Sequence, residues 1–315
     1  MITLENIDGK IWHIETKVMD MVKEYQDQGK LIISLNSEGP CCEVLGLYKI
    51  LDHMCENFNI DKKKITILTL NKIEQHAEYN IKRSPSHFIR STAQALQHID
   101  TTKHISKHVG LFIGRSNSFR LWLASWIRKN YSNKTVMSYH FDINNERHRP
   151  HIGLDDMIRA NATMDQLQDA KDLIADSPII FDKQDSWPFL YTEAIYIIKQ
   201  YKNMFLDLVM ETYYSGSTFF MTEKICRPIV SQTPFIVFAS PGFLLNMKDM
   251  GFKTFERWWS EEYDDYGEDE RISKIQLLLK DIYSKSTDEL QAMLKDMEPV
   301  LKHNRELILE YAKQR

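Results

Sequence analysis

The sequence predicts an α/β protein built on parallel sheets, because two stretches read as strand, helix, strand. In the first, apolar runs at 31–35 and 65–70 enclose the segment 43–56, where apolar residues recur at helical spacing. In the second, apolar runs at 205–210 and 234–238 enclose a segment that opens as a helix does. Strands that alternate with helices in this order form βαβ units.

Further elements continue the alternation along the chain. The polar, His-rich segment 87–108 is expected to cross between two halves of the molecule. The other predicted elements are a strand from Val109, a strand over 135–139, and helices over 121–129, 164–175 and 187–199.

The C-terminal tail is predicted to be helical. A helix over 269–283 is followed by Ser286 with Glu289 three residues on, which is the pattern of a capping box. Pro299 is expected to kink or restart this last helix, because proline lacks a backbone N–H.

Composition restricts the class of protein. The 315 residues suffice for one large core or two domains, and the net charge of −4 gives no general attraction to nucleic acid or to a membrane surface. No segment resembles a signal peptide or approaches the roughly 18 apolar residues that span a bilayer. The four cysteines lack metal-ligand spacing and are expected to be reduced. We therefore expect a soluble cytoplasmic protein, in the host cytoplasm if the source is a virus.

Polar residues in the second strand-helix-strand unit indicate a ligand site. Glu211 ends the strand-like run, a turn with Gly216 follows, and Thr222, Glu223 and Lys224 open the helix. Open α/β sheets bind ligands at the carboxyl ends of their strands, and a helix N-terminus favours anions such as phosphate. Lys224 adds a positive charge, and Glu223 can accept hydrogen bonds from sugar hydroxyls. Alternatively, Thr222 is only an N-cap, followed by two surface residues.

This block resembles the donor-binding motif of the α-1,3-fucosyltransferase family. That motif reads Glu-Asn, a short spacer, Tyr-x-Thr-Glu-Lys, a helix and then Pro-x-x-x-Gly. Glu211, the run 222–224 and Pro234 fall on matching positions. Thr212 stands where the family has Asn, and Phe220 stands where it usually has Tyr.

The resemblance implies a GT-B fold, in which two Rossmann-like domains face a cleft and a helical C-terminal tail follows. It covers mainly 109–264, and the block 251–264 is also similar to one in many viral and bacterial glycosyltransferase-like proteins. It implies an acceptor-binding domain over 1–104, a nucleotide-sugar domain over 105–283, and helices over 284–315 that pack back toward the N-terminal domain.

The resemblance also implies a second part of the donor site, in the strand, polar loop and helix that begin at Val109. The family has an arginine here that contacts the nucleotide diphosphate. Arg120 is the positional match, and Arg115 is a second candidate. The planar guanidinium suits this role because it binds phosphate oxygens through two parallel hydrogen bonds. Alternatively, both arginines are solvated or paired with acids.

The candidate catalytic base is Glu38, in the turn that follows the first strong strand. An inverting glycosyltransferase requires a carboxylate near the acceptor hydroxyl. Fucosyltransferases carry Glu-Ser-Pro at a similar position, where this chain has Gly39 in place of Ser. Glu38 could equally be an ordinary turn acid, and Glu43 is the fallback candidate.

Three residues are expected to contact the donor sugar. They are Glu211, Ser215 and His140, which follow predicted strands or lie in the motif loop. Glu211 could instead cap the turn after it, and a single histidine such as His140 is more often part of a core or a surface. An aromatic-acidic patch at 258–263 could stack on sugars or simply pack the core.

No metal or cofactor is expected. The chain lacks the Asp-x-Asp pair of metal-dependent glycosyltransferases, and the His148 and His151 pair has no partner acids or cysteines. It also lacks the glycine-rich motifs of NTPases and dehydrogenases and the serine motif of hydrolases.

The sequence therefore predicts a metal-independent, inverting glycosyltransferase. We expect a nucleotide-diphosphate sugar as the donor, with GDP-fucose first and UDP-sugars second, and a glycan hydroxyl as the acceptor. Two alternatives stay open: a phage-type enzyme that glycosylates DNA bases, and a sugar- or nucleotide-binding module without catalysis.

Overall fold

The computed structural model describes residues 1–4, 6–7, 10–11, 14–35, 38–140, 150–181 and 194–313. Two four-stranded parallel sheets and the helices around them make an α/β protein, as predicted, whereas the GT-B architecture stays a prediction. Each sheet belongs to its own compact unit. The first unit comprises Met1–His87, Thr212–Met221 and Ala239–Asn246, and the second comprises Phe88–Glu211, Thr222–Phe238 and Met247–Arg315.

The first sheet grows in one direction along the chain. Its strand order is β1-β4-β5-β6, and all three pairings are parallel. The apolar faces of α1 and α2 pack with β4 and β5 in one buried core. The elements of this part of the chain are β1 (Ile2–Thr3), β2 (Asn6–Ile7), β3 (Lys10–Ile11), α1 (Ile14–Gln28), β4 (Leu31–Ser34), α2 (Leu47–Phe58), β5 (Ile65–Thr69) and β6 (Asn80–Arg83).

Helix α2 begins four residues later than predicted. Gly46 precedes its first residue with a φ of 69°, a left-handed conformation that ends the preceding turn and separates it from the helix. Val44, an apolar residue of the predicted segment 43–56, lies before the helix, and 56% of the residue is exposed, so its assignment to the apolar helix face is wrong. The other predicted apolar positions, Leu47, Tyr48, Leu51, Met54 and Cys55, are buried.

The second sheet has the order β10-β9-β7-β8, again with parallel pairings throughout. Every residue of β9 is buried, as is typical of a parallel strand covered on both faces. The elements that follow β6 along the chain are α3 (His87–Leu96), β7 (Lys107–Ile113), α4 (Ser118–Tyr131), β8 (Thr135–Tyr139), α5 (Pro150–Arg159), α6 (Met164–Ala175), α7 (Ala194–Gln200), β9 (Met204–Met210), α8 (Glu223–Val230), β10 (Phe235–Phe238), α9 (Phe243–Asp249), α10 (Glu268–Ser284) and α11 (Thr287–Tyr311).

The tail is helical, as predicted. Ser286 and Glu289 form the capping box at the start of α11. The predicted restart at Pro299 is wrong, because α11 is one helix of 25 residues that contains this proline. Proline removes one backbone hydrogen bond from a helix, and buried residues on both sides of it, including Leu294 and Leu301, keep this helix packed.

The units do not follow the predicted division at residue 104. Residues 212–221 and 239–246 belong to the first unit although they lie far along the chain. Segment 87–108, predicted to be a crossover, contains α3, whose residues Ile89, Ala93 and Leu96 are buried. Helix α11 packs on α8 and contacts β7 and β9. Its predicted packing toward the N-terminal domain stays a prediction.

Part of one predicted helix falls outside the described residues. Of the predicted helix over 187–199, residues 187–193 are not described, and α7 covers the rest. Within the ranges that the structure describes, no helix is both long and apolar enough to cross a membrane.

Candidate functional site

The second sheet reverses its strand order between β7 and β9. From β7 the chain adds β8 on one side, and it later returns to add β9 and then β10 on the other. In open α/β sheets, ligands bind at the carboxyl ends of the strands where this reversal occurs. Helices α4 and α8 follow β7 and β9, so both begin at this edge, which we call the switch edge. The positive ends of two helix dipoles therefore lie there.

The loop between β7 and α4 is built from polar side chains. Asn117 is the N-cap of α4, and its side chain accepts a hydrogen bond from the Arg120 amide at 2.9 Å. The Ser116 hydroxyl lies 2.6 Å from the hydroxyl of Tyr139, the last residue of β8. Arg115, one of the two predicted phosphate ligands, lies in this loop and is half-buried.

The guanidinium of Arg120 is buried and binds backbone carbonyls. Its Nη1 donates to the Arg115 carbonyl at 3.0 Å, and its Nη2 donates to the carbonyls of Met210 and Glu211 at 3.0 and 2.8 Å. Only 8% of the residue is exposed. Arg120 thus connects the ends of β7 and β9.

The end of β9 and the start of α8 are joined by side chains. Glu211 is buried, and its Oε2 accepts a hydrogen bond from the Thr222 hydroxyl at 2.7 Å. The same hydroxyl oxygen accepts from the Lys224 amide at 3.2 Å, so Thr222 is the N-cap of α8. Burial raises the pKa of Glu211, although the Lys224 ammonium opposes this shift. The alternative interpretation of Thr222 as an N-cap is therefore correct for its side chain.

Glu223 and Lys224 form an ion pair in the first turn of α8. Lys224 Nζ lies 3.0 Å from Glu223 Oε1, with 22% and 35% of the two side chains exposed. Burial opposes ionisation of Glu223, but Lys224 and Arg227 lower its pKa below the usual value. The edge therefore carries an ionised carboxylate beside a partly exposed ammonium.

His140 lies at the same edge, directly after β8. Its amide donates to the carbonyl of Ile113, the last residue of β7, at 3.0 Å, and the residue is 7% exposed. Seven of the nine predicted site residues therefore belong to the second unit and follow its strands or begin its helices: Arg115, Arg120, His140, Glu211, Thr222, Glu223 and Lys224.

The other two predicted site residues, Glu38 and Ser215, belong to the first unit. Glu38 Oε2 accepts a hydrogen bond from the Tyr213 hydroxyl. The carbonyl of Ser215 accepts from the Ser240 hydroxyl at 3.2 Å. Ser215 thus does not lie in the same unit as Glu211 and His140, the residues with which it was grouped. The fallback base, Glu43, is exposed in the turn before α2.

Asn71 holds residues 212–221, which we call the Tyr213 loop, a role that was not predicted from the sequence. Its side chain donates to the Ser217 carbonyl at 2.8 Å and accepts from the Phe219 amide at 2.8 Å. It also donates to Glu74 at 3.1 Å, a buried carboxylate that accepts from the Tyr48 hydroxyl at 2.7 Å. The available signal was local: Asn71 and Glu74 come directly after the strand β5.

Gly39 is required beside Asn71. A Cβ atom at this glycine would lie 2.4 Å from the Asn71 nitrogen and 2.8 Å from the Leu70 carbonyl carbon, both of which are backbone atoms. The glycine in the Glu-Gly-Pro turn therefore permits a close approach of two chain segments.

A buried polar cluster beneath α8 was also missed, because its members come from separate parts of the chain that only the fold brings together. Asp207, in the middle of β9, accepts a hydrogen bond from the Tyr201 hydroxyl. Lys103 Nζ donates to the Tyr201 carbonyl at 2.7 Å and to the Thr233 hydroxyl. Burial lowers the pKa of Lys103 to about 7 and raises that of Asp207 to about 6.

The aromatic-acidic patch at 258–263 is explained by packing and hydrogen bonding. Trp259 and Tyr263 are buried, and Trp258 Nε1 donates to Asp296 at 2.8 Å. Glu261 Oε1 accepts from the Phe255 amide at 2.6 Å. These contacts support the interpretation that the patch packs the core, and none of them bears on stacking against a sugar.

Comparison with protein-family models, with curated proteins and with solved structures finds no match for this chain. Across the part of the chain that the structure describes, no group of three or more His, Cys, Asp or Glu side chains could hold a metal ion. Metal independence stays a prediction.

Proposed function

We propose that this chain is a GT-B glycosyltransferase that transfers a sugar from a nucleotide-diphosphate donor to a glycan hydroxyl, with inversion and without metal. The observation that carries the proposal is the switch edge, where α4 and α8 begin on either side of the strand-order reversal. Two helix N-termini and a partly exposed lysine at one edge favour a multiply charged anion.

The donor diphosphate is assigned to the helix starts and the cations beside them. The Lys224 side chain is 22% exposed and forms an ion pair with Glu223, so its ammonium lies at the surface of the switch edge. Arg115 lies in the loop that precedes α4. Fixed positive groups of this kind stabilise the charge that develops on a leaving diphosphate.

The two sugar groups of the donor, the ribose and the transferred sugar, are assigned to two carboxylates and a histidine. Glu223 is ionised and 35% exposed, so its oxygens can accept hydrogen bonds from ribose hydroxyls. Glu211 and His140 follow β9 and β8 at the same edge and are our candidates for contact with the transferred sugar. Ser215 stays a candidate on the motif alone.

Glu38 is assigned as the general base that removes the proton of the acceptor hydroxyl. Its hydrogen bond with Tyr213 holds the carboxylate in one orientation, which proton transfer requires. The resemblance to fucosyltransferases makes GDP-fucose the first donor to try, and UDP-sugars are second.

A thermal-shift screen of nucleoside diphosphates and nucleotide sugars, with EDTA present, tests the donor site. A ligand at 100 times its Kd adds about 2.7 kcal/mol of stability, which shifts the Tm by several degrees. We expect one nucleotide family to shift the wild type and the control Lys280→Ala, an exposed lysine of α10, but to shift Lys224→Ala much less.

Three other outcomes of these binding and transfer assays would change the proposal. No shift with any nucleoside diphosphate would contradict the proposal. Binding without transfer or hydrolysis would favour a non-catalytic binding module. Transfer to modified DNA bases, in place of glycans, would favour the phage-type enzyme.

A further inference from the structure

The pairing of β7 with β9 stops before either strand ends. Their pairing runs from Lys107 with Met204 to Gly110 with Asp207, so the last residues of both strands lie beyond it. The carbonyls of Met210 and Glu211, at the end of β9, lie beyond this pairing and are buried. Buried carbonyls at such a place require donors, because water cannot reach them.

Arg120 supplies those donors from the first turn of α4. Nη2 gives one bond to the Met210 carbonyl and one to the Glu211 carbonyl, and Nη1 gives a third to the Arg115 carbonyl. The three bonds join the loop after β7 to the end of β9.

These bonds restrict what the guanidinium can do for a ligand. A guanidinium grips a phosphate with two adjacent nitrogens, either Nε with Nη2 or Nη1 with Nη2. Both pairs include Nη2, whose two hydrogens are directed to Met210 and Glu211. Arg120 therefore presents no two-nitrogen edge to a diphosphate while these bonds persist.

The contacts continue from Arg120 to the start of α8. Arg120 fixes the backbone of Glu211, whose carboxylate accepts from the Thr222 hydroxyl. Thr222 in turn caps α8 at the Lys224 amide. The position of the α8 N-terminus thus depends on a residue of α4.

We propose that Arg120 is a positioning residue, which fixes Glu211 and the N-terminus of α8 through backbone carbonyls and does not bind the donor diphosphate. This assignment rests on the proposed function for the role of the site, but the carbonyl contacts can be tested without any ligand. The phosphate role then falls to Arg115, the second candidate of the motif, which lies in the loop before α4.

The first test observes the arginine side chains by NMR in ¹⁵N-labelled protein, with Arg120→Lys and Arg115→Lys used for assignment. Without ligand, we expect separate, slowly rotating Nη signals for Arg120, because both its Nη groups are bonded. Added GDP should move the Nε signal of Arg115 and leave that of Arg120 in place. A freely rotating Arg120, or an Arg120 signal that GDP moves as far as that of Arg115, would overturn the proposal.

The second test compares Arg120→Lys with Arg128→Lys, the same substitution at a surface ion pair of α4. Lysine keeps the charge of Arg120 but cannot serve three carbonyls in this geometry. We expect Arg120→Lys to lower the Tm by several degrees and to move the Lys224 amide signal, with neither effect in Arg128→Lys. A Tm change without movement of the Lys224 amide would indicate a purely structural arginine, contrary to the proposal.

The outcomes for the two proposals are separable. If no nucleotide binds, the proposed function fails, while the ligand-free Nη signals and the Lys224 amide still decide whether Arg120 positions α8. If Arg120→Lys does not fold, through-bond correlations from the Arg120 backbone amide assign its side-chain signals in the wild type, and those signals decide alone.

Discussion

The two sheets end in carboxyl edges of different kinds. The first sheet adds its strands in chain order, whereas the second reverses its order between β7 and β9. At the first edge, Asn71 and Glu74 are buried and use their polar atoms to hold the Tyr213 loop and the chain before α2. At the second edge, Lys224 and Glu223 remain partly exposed. Polar side chains at the carboxyl edge of the first sheet thus hold the chain in place, whereas the ion pair at that of the second is partly exposed.

The charges at the two edges differ as well. Glu38 and Glu74 at the first edge receive hydrogen bonds from tyrosine hydroxyls. The second edge has two helix N-termini with Lys224 and Arg115 beside them. We infer that the first edge suits a general base, whereas the second suits an anion. The predictions below separate these roles, from the largest expected effect to the smallest.

Glu38→Gln should abolish most of the transfer and leave the nucleotide affinity unchanged. Glutamine has nearly the same shape but cannot take a proton, so we expect kcat to fall by about 10²–10⁴-fold. Steady-state transfer assays and GDP titrations check the two halves of this prediction, with Glu56→Gln, at an exposed glutamate of α2, as the control. A parallel loss of GDP affinity would mean that the two edges do not divide the work in this way.

Asn71→Leu should destabilise the protein by about 2–4 kcal/mol, because it leaves the Ser217 carbonyl, the Phe219 amide and Glu74 without their partner. Urea unfolding of this variant and of Asn80→Ala, an exposed asparagine of β6, measures the difference. An effect below about 0.5 kcal/mol would show that Asn71 does not hold the loop.

Glu38 and Asn71 also show how much of the molecule the sequence could predict. Strand β8 was predicted to the residue, and Glu211, Thr222 and Lys224 were found together, because their signals are local in sequence. The bonds of Asn71 to Ser217 and of Glu38 to Tyr213 span 146 and 175 residues. Pairings over such separations depend on the tertiary fold, and no periodicity reveals them.

Other misses have local physical causes. Strand β6 has no fully buried residue, so it lacks the apolar run that identifies a strand. Asp207 lies in the middle of the apolar β9 and accepts a hydrogen bond from Tyr201, a contact that depends on the tertiary fold. The carbonyl contacts of Arg120 also depend on the fold, since the motif alone assigned this residue to the diphosphate.

Lys103 should make stability rise with pH above neutrality. Burial lowers its folded pKa to about 7, so between pH 7 and its ordinary pKa the unfolded chain binds more protons than the folded one. Stability then increases across this window, by at most about 1.4 kcal/mol per pH unit. Lys103→Met should remove this slope in urea unfolding between pH 7 and 9, whereas Lys280→Met should keep it. Equal slopes in both variants would rule out a buried, neutral Lys103.

The most direct test of the account is to map GDP binding by the backbone amide signals of labelled protein, with EDTA present. We predict that the amides of 114–118 and 222–225, at the starts of α4 and α8, move most and saturate together. The same titration of Lys224→Met should require a higher GDP concentration to reach saturation. Movement concentrated at 38–42 and 70–74, the edge of the first sheet, or no saturable movement with GDP or UDP, would contradict the central claim that the switch edge binds the nucleotide.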